Sequence, residues 1–486
     1  MATRDHRISQ ALLLIITVSI MNVELLTLKD AENITDQQAY GLFCEYINPN
    51  LGKMMNMLGF CSSHPVRADN CYITFSNGKT VIDFTAQFGI MNIGHNHPRI
   101  LKARQDWANR KELELWKFFP SPYQGILAKN LASILPGDLD VTFFCNSGAE
   151  ANEGALKLAS KVAGSDRDVI VHSDISFHGK THATLSISGS EMGQNSYFKL
   201  LSGCESVRFG DLNQVENIFN NYKTRFSKTK VSTLILEAVR AEGVHISPPD
   251  YLKGVRKLCD DFKVTLIMDE VFTGFGRTGK AFAFNHFDIT PDIVTYSKAF
   301  GGGKASFGAY TARRSLYKKA YGTMKDATLH STTYNGFGEE VVSAIEAINI
   351  LYEEDLFTNA QQKGDYLNTK LNELKDKHSV IKSVNCIGLL CCVKIENVAA
   401  KLARFLPGDS SNVVAKLTTG GIIAKLFEDY DILIYTPPHD FDLLFITPPL
   451  TITEEQIDKL IYALNEVLKL NLVELAQVFL KRFINS

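Results

Sequence analysis

Three things are missing from this chain: a run of 18 apolar residues, a CxxC pair, and any appreciable net charge. Lys and Arg total 51 against 53 Asp and Glu, leaving −2 over 486 residues. A nucleic-acid or anionic-membrane partner calls for a basic field, so neither is expected. A membrane-crossing helix takes about 20 apolar residues, which excludes a polytopic membrane protein. The nine cysteines are odd in number and scattered, which fits neither a disulfide scaffold nor a zinc site. They are expected to be reduced, buried thiols in a cytoplasmic protein. Between Lys425 and Lys459 there is no Lys or Arg at all. With 45% hydrophobic and 21% charged residues, and only 33 Gly and 14 Pro, disorder and collagen are also excluded. A chain of this length can bury a large core without staples.

Near the start, Ala11–Met21 (ALLLIITVSIM) is apolar and follows Arg4 and Arg7. It is too short to span a bilayer, and no small-x-small cleavage site follows before Asn22 and Glu24. It reads as a helix packed on the body or as an extension ahead of a start at Met21. A secretory signal is the lesser alternative.

From about residue 120 to 350 strand-like and helix-like segments alternate. The strands are Val141–Cys145, Val169–Val171, Thr233–Leu236, Val264–Met268, Ile293–Tyr296 and Gly308–Thr311; helices start at Glu150 and Asp250. Strands apolar on both faces and separated by helices predict an α/β fold with a mostly parallel, doubly covered sheet. After residue 350 a polar helix (Asn359–Lys377), strand Leu389–Ile395, a helix near Val413–Phe427, two short strands and a helix from Thr453 suggest a smaller α+β lobe. The expected division is an extension over 1–30, a first part of the small domain over 31–95, a large domain over 96–369, and the rest of the small domain over 370–486.

Ligands in such sheets bind beyond the carboxyl ends of the strands, where the informative polar residues fall. Ser147, Gly148 and Ala149 lie where a strand enters a helix, an N-terminal anion site suited to phosphate or an ordinary N-cap. Phe177-His178-Gly179 offers an aromatic beside a glycine, able to stack on a planar ring or simply to pack in the core. Asp269-Glu270 at a buried strand end is costly without a cationic or protonated partner. No metal is expected, because no His or Cys nearby completes a ligand set. Lys298, at the end of another apolar strand, is a desolvated amine suited to Schiff-base chemistry. His330–Gly336 is a hydroxyl cluster that caps a helix or grips phosphate oxygens.

Phosphate cradle, stacking aromatic, buried Asp and amine, in that order, are the parts a pyridoxal 5′-phosphate site needs. The chain resembles the class III aminotransferases of pyridoxal phosphate fold type I from about Gly78 to Leu450. The runs Asp269–Gly279 and Ser297–Gly303 carry most of the likeness, with Gly94-His95-Asn96-His97-Pro98 as an early signature. The resemblance implies a fold type I enzyme with a large domain built on a mostly parallel sheet and a smaller α+β domain. It implies that Lys298 forms the Schiff base and moves the proton, and that Asp269 pairs with the pyridinium nitrogen. Ser147, Gly148 and Ala149 would hold the phosphate, Phe177 would stack on the ring beside His178, and Thr333 would reach the phosphate of a second subunit in a homodimer. Glu237 and Glu242 resemble two acids of the family, with Glu242 near the substrate.

The departures concern the substrate. Phe272 stands where relatives have Gln. Phe445 stands where many glutamate users have Arg, and Arg240 replaces a Gln as a possible substitute clamp. The expected reaction is amino transfer between a primary, terminal amine and an oxo acid. An aminomutase or lyase with the same cofactor is the alternative.

Overall fold

The computed structural model describes residues 25–189, 199–224, 229–396, 417–437, 440–471, 474–475 and 477–478. The Ala11–Met21 leader lies outside the described residues. By contact, the chain divides into two compact units: Met1–Asn56 with Phe60–His64, and Met57–Gly59 with Pro65–Ser486.

Within the first unit, Leu28–Glu32 and Asp36–Tyr46 are helices that start at Thr27 and Thr35. Each threonine accepts from the backbone N–H three residues on, whose own side chain reaches back, a reciprocal cap that ends the fraying of the first turn. Neither helix has a buried residue.

The second unit is organised by a seven-stranded sheet. Its order is Leu139–Cys145, Gly308–Arg313, Ile293–Tyr296, Thr265–Asp269, Val231–Leu236, Val169–Ser173, Cys204–Val207. Gly308–Arg313 pairs antiparallel with both its neighbours, and the other pairings are parallel. Val231–Leu236 and Thr265–Asp269 are buried at every position, which requires cover on both faces and explains their continuous apolar sequence. The mostly parallel α/β expectation therefore holds. Strand Cys204–Val207, short and part-polar, was not legible because it sits at the sheet edge.

One face of the sheet is covered by the helix Gly148–Ala163, whose Ala155, Leu156, Leu158 and Ala159 join Ile235, Ile267, Ile293 and Tyr310 in one core cluster. Each large aliphatic buried this way contributes about 1.5–3 kcal/mol. The approach is close: a Cβ on Gly154 would lie 2.6 Å from the Tyr310 ring. Any larger residue there would push the helix off the sheet.

Two smaller sheets follow. Pro65–Asp69, Tyr72–Phe75 and Thr80–Asp83 form an antiparallel set extended by Ile432–Leu433. Ile381–Ile387, Leu390–Ile395 and Leu443–Ile446 form an antiparallel three-stranded sheet. In that hairpin Cys386 and Cys391 stand directly opposite each other and are joined as a disulfide. This corrects the expectation of nine reduced thiols; the other seven cysteines are free. Residues 413–416 of the helix expected near Val413–Phe427 lie outside the described residues, and the helix is observed over Leu417–Tyr430. No described helix is long and apolar enough to cross a membrane.

Candidate active site

Five parallel strands of the large sheet end on one cavity of about 470 Å³. Cys145 leads to Gly148 and Ala149, Ser173 to Phe177 and His178, and Leu236 to Glu237. Asp269 ends its own strand, and Tyr296 leads to Ser297 and Lys298. All of these beyond the strand ends line the cavity, as a switch-point site requires.

Lys298 sits at φ +50°, in the left-handed region where a residue with a Cβ is strained. The strain is held by its neighbours: Ser297 Oγ donates to the Phe307 carbonyl at 2.7 Å, and Ala299 and Phe300 are buried. The result aims the amine into the cavity, with Nζ 4.2 Å from the centre of the Phe272 ring. Desolvation pushes the Lys298 amine down to about 8, against the pull of Asp269, Glu237 and Glu242. A larger share is therefore a neutral nucleophile near neutral pH than for an exposed lysine.

Asp269 is 4% exposed and heavily tied. Its Oδ2 accepts from Asn152 Nδ2 at 2.8 Å and stands 2.7 Å from His178 Nδ1, while Oδ1 accepts from the Val271 N–H at 2.9 Å. Asn152 is in turn held by Thr295, whose Oγ1 donates to its Oδ1 at 2.7 Å, and it donates to the His178 carbonyl at 2.8 Å. A carboxylate has about four acceptor positions, so three partners leave one for a donor in the cavity. Glu270, one residue on, points away. It accepts from Thr273 Oγ1 at 2.5 Å and from the N–H groups of Ala283 and Phe284 at 3.0 and 2.9 Å. Burial pushes its carboxyl up to about 7. Only the first of the two acids belongs to the site.

At the helix start, Ser147 is a working N-cap: its Oγ accepts from the Glu150 N–H at 3.2 Å. The cavity is met by Gly148 and Ala149 instead. A Cβ on Gly148 would lie 2.8 Å from Val271, so only glycine lets this helix start come so near. Phe177 lines the cavity, and its N–H donates to Glu237 Oε2 at 3.1 Å. A helix N-terminus for an anion, an aromatic wall, an acid with one vacant acceptor position and an amine fit pyridoxal phosphate as a donor set.

The opposite wall is the turn between strands Val239–Arg240 and His245–Ile246. Arg240 Nη2 donates to Glu242 Oε2 at 2.9 Å, its Nε contacts the Ile175 carbonyl, and Glu237 Oε2 is 3.7 Å away. Burial raises the Glu237 carboxyl, and Arg240 pulls it back. Phe272 faces the cavity as expected. Phe445 does not line it: fully buried, it backs Phe272 and Tyr435, at 5.7 and 5.3 Å between ring centres. Thr333 is exposed and is not part of the cavity wall.

Four contributors were missed in the sequence. Asn152 carried a signal, a polar residue on the apolar face of its helix. Lys180, Phe88 and Tyr435 also line the cavity. Phe88 is presented by three successive left-handed residues, Ala86, Gln87 and Phe88, which nothing in their side chains announces. The Gly-His-x-His-Pro signature is structural here: His95 Nε2 lies 2.8 Å from buried Asp83, and His97 caps the helix Pro98–Arg110. Arg277 is structural too, donating to the carbonyls of Leu389 and Pro448 and to Asn92.

A mostly parallel α/β sheet with a buried acid, an activated lysine and a helix-start anion site defines a pyridoxal phosphate enzyme of fold type I. The comparisons agree. The model of the class III aminotransferases matches residues 59–468. Acetylornithine aminotransferase of Methanocaldococcus jannaschii is 34% identical over 397 residues, covering 80% of this chain and 89% of that protein. A thermostable (S)-enantioselective ω-transaminase from Thermomicrobium roseum is 25% identical, with a TM-score of 0.73 over 84% of this chain and 92% of its own. Ornithine aminotransferase from Toxoplasma gondii, 24% identical, shares the fold with a TM-score of 0.76 over 91% of this chain and 97% of its own. The chain belongs to the class III aminotransferase family. It is a pyridoxal-phosphate-dependent transaminase that moves an amino group between an amine and an oxo acid.

Proposed function

We propose that the amine donor is a diamine or another primary amine without a nearby carboxylate, and that the chemistry runs on Lys298 and Asp269. The observation that carries the donor class is the Arg240–Glu242 pair, 2.9 Å apart with Glu237 at 3.7 Å. The guanidinium is already committed to two acids and a carbonyl, so the wall as a whole is acidic. A free carboxylate would have to displace those partners, whereas a distal ammonium is met by Glu242. Phe272, Phe88 and Tyr435 suit the carbon chain between. Lys180 stands exposed beside the cavity with no ion pair among the described residues, which suits the oxo-acid acceptor's carboxylate.

Pyridoxal phosphate, when bound, supplies the electron sink that acidifies the C–H next to the substrate nitrogen. Lys298 Nζ would hold it covalently, and the same amine would carry the proton in the transfer. Asp269 would hold the proton on the ring nitrogen, with His178 and Asn152 keeping the carboxylate oriented. Phe177 would lie against the ring, and the N–H groups of Gly148 and Ala149 would take the phosphate. Ser147 would act there through the helix it caps, and Thr333 of a second subunit would complete the phosphate site in a homodimer. We also infer a large domain over 96–369 and a small domain over 31–95 and 370–486. The confinement of the seven-stranded sheet to 139–313, and the union of 65–83 with 432–433 in another sheet, support the large domain and the small domain from residue 65 onward. A cytoplasmic location is part of the same reading.

The test is a donor panel on the holoenzyme with one oxo acid in excess. The kcat/KM for 1,4-diaminobutane should exceed that for glutamate by about tenfold or more, the worth of one charge-assisted contact. Equal or better use of glutamate overturns the donor class.

A further inference from the structure

We propose that the Cys386–Cys391 disulfide is a thiol-exchange site whose state sets the position of the Glu242 loop, and so the affinity for the amine donor. The donor part rests on the reading above; the exchange part does not. Three independent observations meet here.

The first is access. Cys386 is half-buried and lines a second cavity of about 500 Å³, open to solvent between Phe209, His245 and Asn372, whereas Cys391 is fully buried. A small thiolate entering that groove meets Cys386 and not Cys391.

The second is connection. Next to the disulfide in the same hairpin stands the opposed pair Asn385 and Cys392. Both donate to one acceptor, the Gly243 carbonyl: Asn385 Nδ2 at 3.2 Å and Cys392 Sγ at 3.1 Å. Gly243 directly follows Glu242, so the hairpin that holds the disulfide also holds the acidic wall of the active site.

The third is strain. Gly243 has φ +83°, and Val244 has φ +49°. A β-branched residue in the left-handed region is an outlier that persists only where its surroundings over-determine it. Val244 itself lines the groove beside Cys386. The turn is thus held in a strained conformation by the clamp on Gly243, and the disulfide joins the same two strands one residue along, on the other face of the sheet.

The exchange balances without further components when the reductant is a dithiol. One thiolate attacks Cys386 Sγ, forming a mixed disulfide and releasing the Cys391 thiolate, which takes a proton. The second thiol of the reductant then attacks its own sulfur, releasing Cys386. The dithiol is oxidised to its cyclic disulfide, and the protein gains two electrons and two protons. In a reducing compartment, disulfides that persist are characteristically of this exchanging kind.

The test compares oxidised and dithiothreitol-reduced holoenzyme with Cys386→Ser, which cannot form the bond. Mass spectrometry after alkylation should find Cys386 and Cys391 blocked in the oxidised enzyme and alkylated in the reduced one. In Cys391→Ser, oxidised glutathione should add to Cys386. Hydrogen exchange at the 241–244 amides should speed up on reduction, whichever amine the enzyme uses. The KM for 1,4-diaminobutane should rise by about three- to tenfold with kcat nearly unchanged, and Cys386→Ser should match the reduced enzyme. Alkylation of both cysteines under oxidising conditions overturns the exchange site. Equal exchange at 241–244 in the two states overturns the coupling. If the exchange rates shift while the diamine proves a poor donor in both states, the donor class fails and the thiol site stands.

Discussion

The strand-end wall of the cavity and the wall made by the Val239–Ile246 turn are held by different means. On the strand-end wall, polar atoms are tied to partners in the sheet, its covering helix and the loops that follow the strands: Asp269 to Asn152, His178 and the Val271 N–H, and Asn152 to Thr295. Removing any one leaves a buried group unsatisfied, at a cost of about 1–3 kcal/mol. On the turn wall, the charged groups are tied partly to each other, Arg240 to Glu242 and Glu237, and partly to the backbone at the Ile175 carbonyl and the Phe177 N–H. Such pairs are exchangeable, because an incoming ion can replace one member. Rigid pairing suits a cofactor that never leaves, and exchangeable pairing suits substrates that alternate.

The sharpest way to break this comparison is to mutate Lys298 and the two neighbouring acids, Asp269 in the cavity and Glu270 behind it. Lys298→Ala should reduce turnover to background and leave no borohydride-stable cofactor adduct. Asp269→Ala should lower kcat by about 10²–10³-fold, the size seen when one charge-organising group is lost from a dry site. Glu270→Ala removes an equally buried carboxyl but leaves three donors unsatisfied away from the cavity. It should lower Tm and leave the KM of the remaining folded enzyme unaltered. If Asp269→Ala and Glu270→Ala behave alike, the division between site acid and structural acid is wrong.

The same division explains what could be read in the sequence. The strand-end wall was legible because parallel strands impose a pattern: an apolar run, then a polar residue where the run ends. Asp269 and Lys298 follow that rule, Gly148, Ala149, Phe177 and His178 lie in the loops and helix start just beyond the strand ends, and all six line the cavity. The turn wall has no such pattern. Arg240 was visible as an oddity, yet its commitment to Glu242 depends on side-chain direction, which residue type does not specify. Phe445 was misplaced because strand alternation sends its side chain behind Phe272 rather than into the cavity. Ser147 was ambiguous between cap and phosphate ligand, and the hydrogen bond to Glu150 shows it capping. The cross-strand disulfide escaped because register alone brings Cys386 opposite Cys391.

An intermediate effect is expected on the turn wall. Glu242→Gln keeps size and hydrogen bonding but removes the charge offered to a distal ammonium. The KM for 1,4-diaminobutane should rise about tenfold, while the KM for a simple monoamine stays within about twofold. A parallel loss for both amines would mean that Glu242 acts on the reacting end of the substrate and not on its far end.

The smallest effect, and the one that joins the two walls, is the pH dependence of cofactor loading. The Lys298 amine is pushed down to about 8 chiefly by desolvation. Only its neutral form attacks the aldehyde of pyridoxal phosphate, so the loading rate of the apoenzyme follows the neutral fraction. That fraction is about one-tenth at pH 7, one-half at pH 8 and nine-tenths at pH 9, so the rate should rise roughly ninefold and then level off. An unperturbed lysine would instead keep rising by about tenfold per pH unit through pH 9. The carboxylates of Glu237 and Glu242 favour the ammonium form and hold the amine higher than burial alone would. Glu242→Gln should therefore move the half-maximal pH downward, not upward. Stopped-flow loading of wild type and variant between pH 6.5 and 9.5 reads both signs at once. A profile with no plateau, or a midpoint that climbs in the variant, would mean that the acidic wall does not act on the lysine across the cavity.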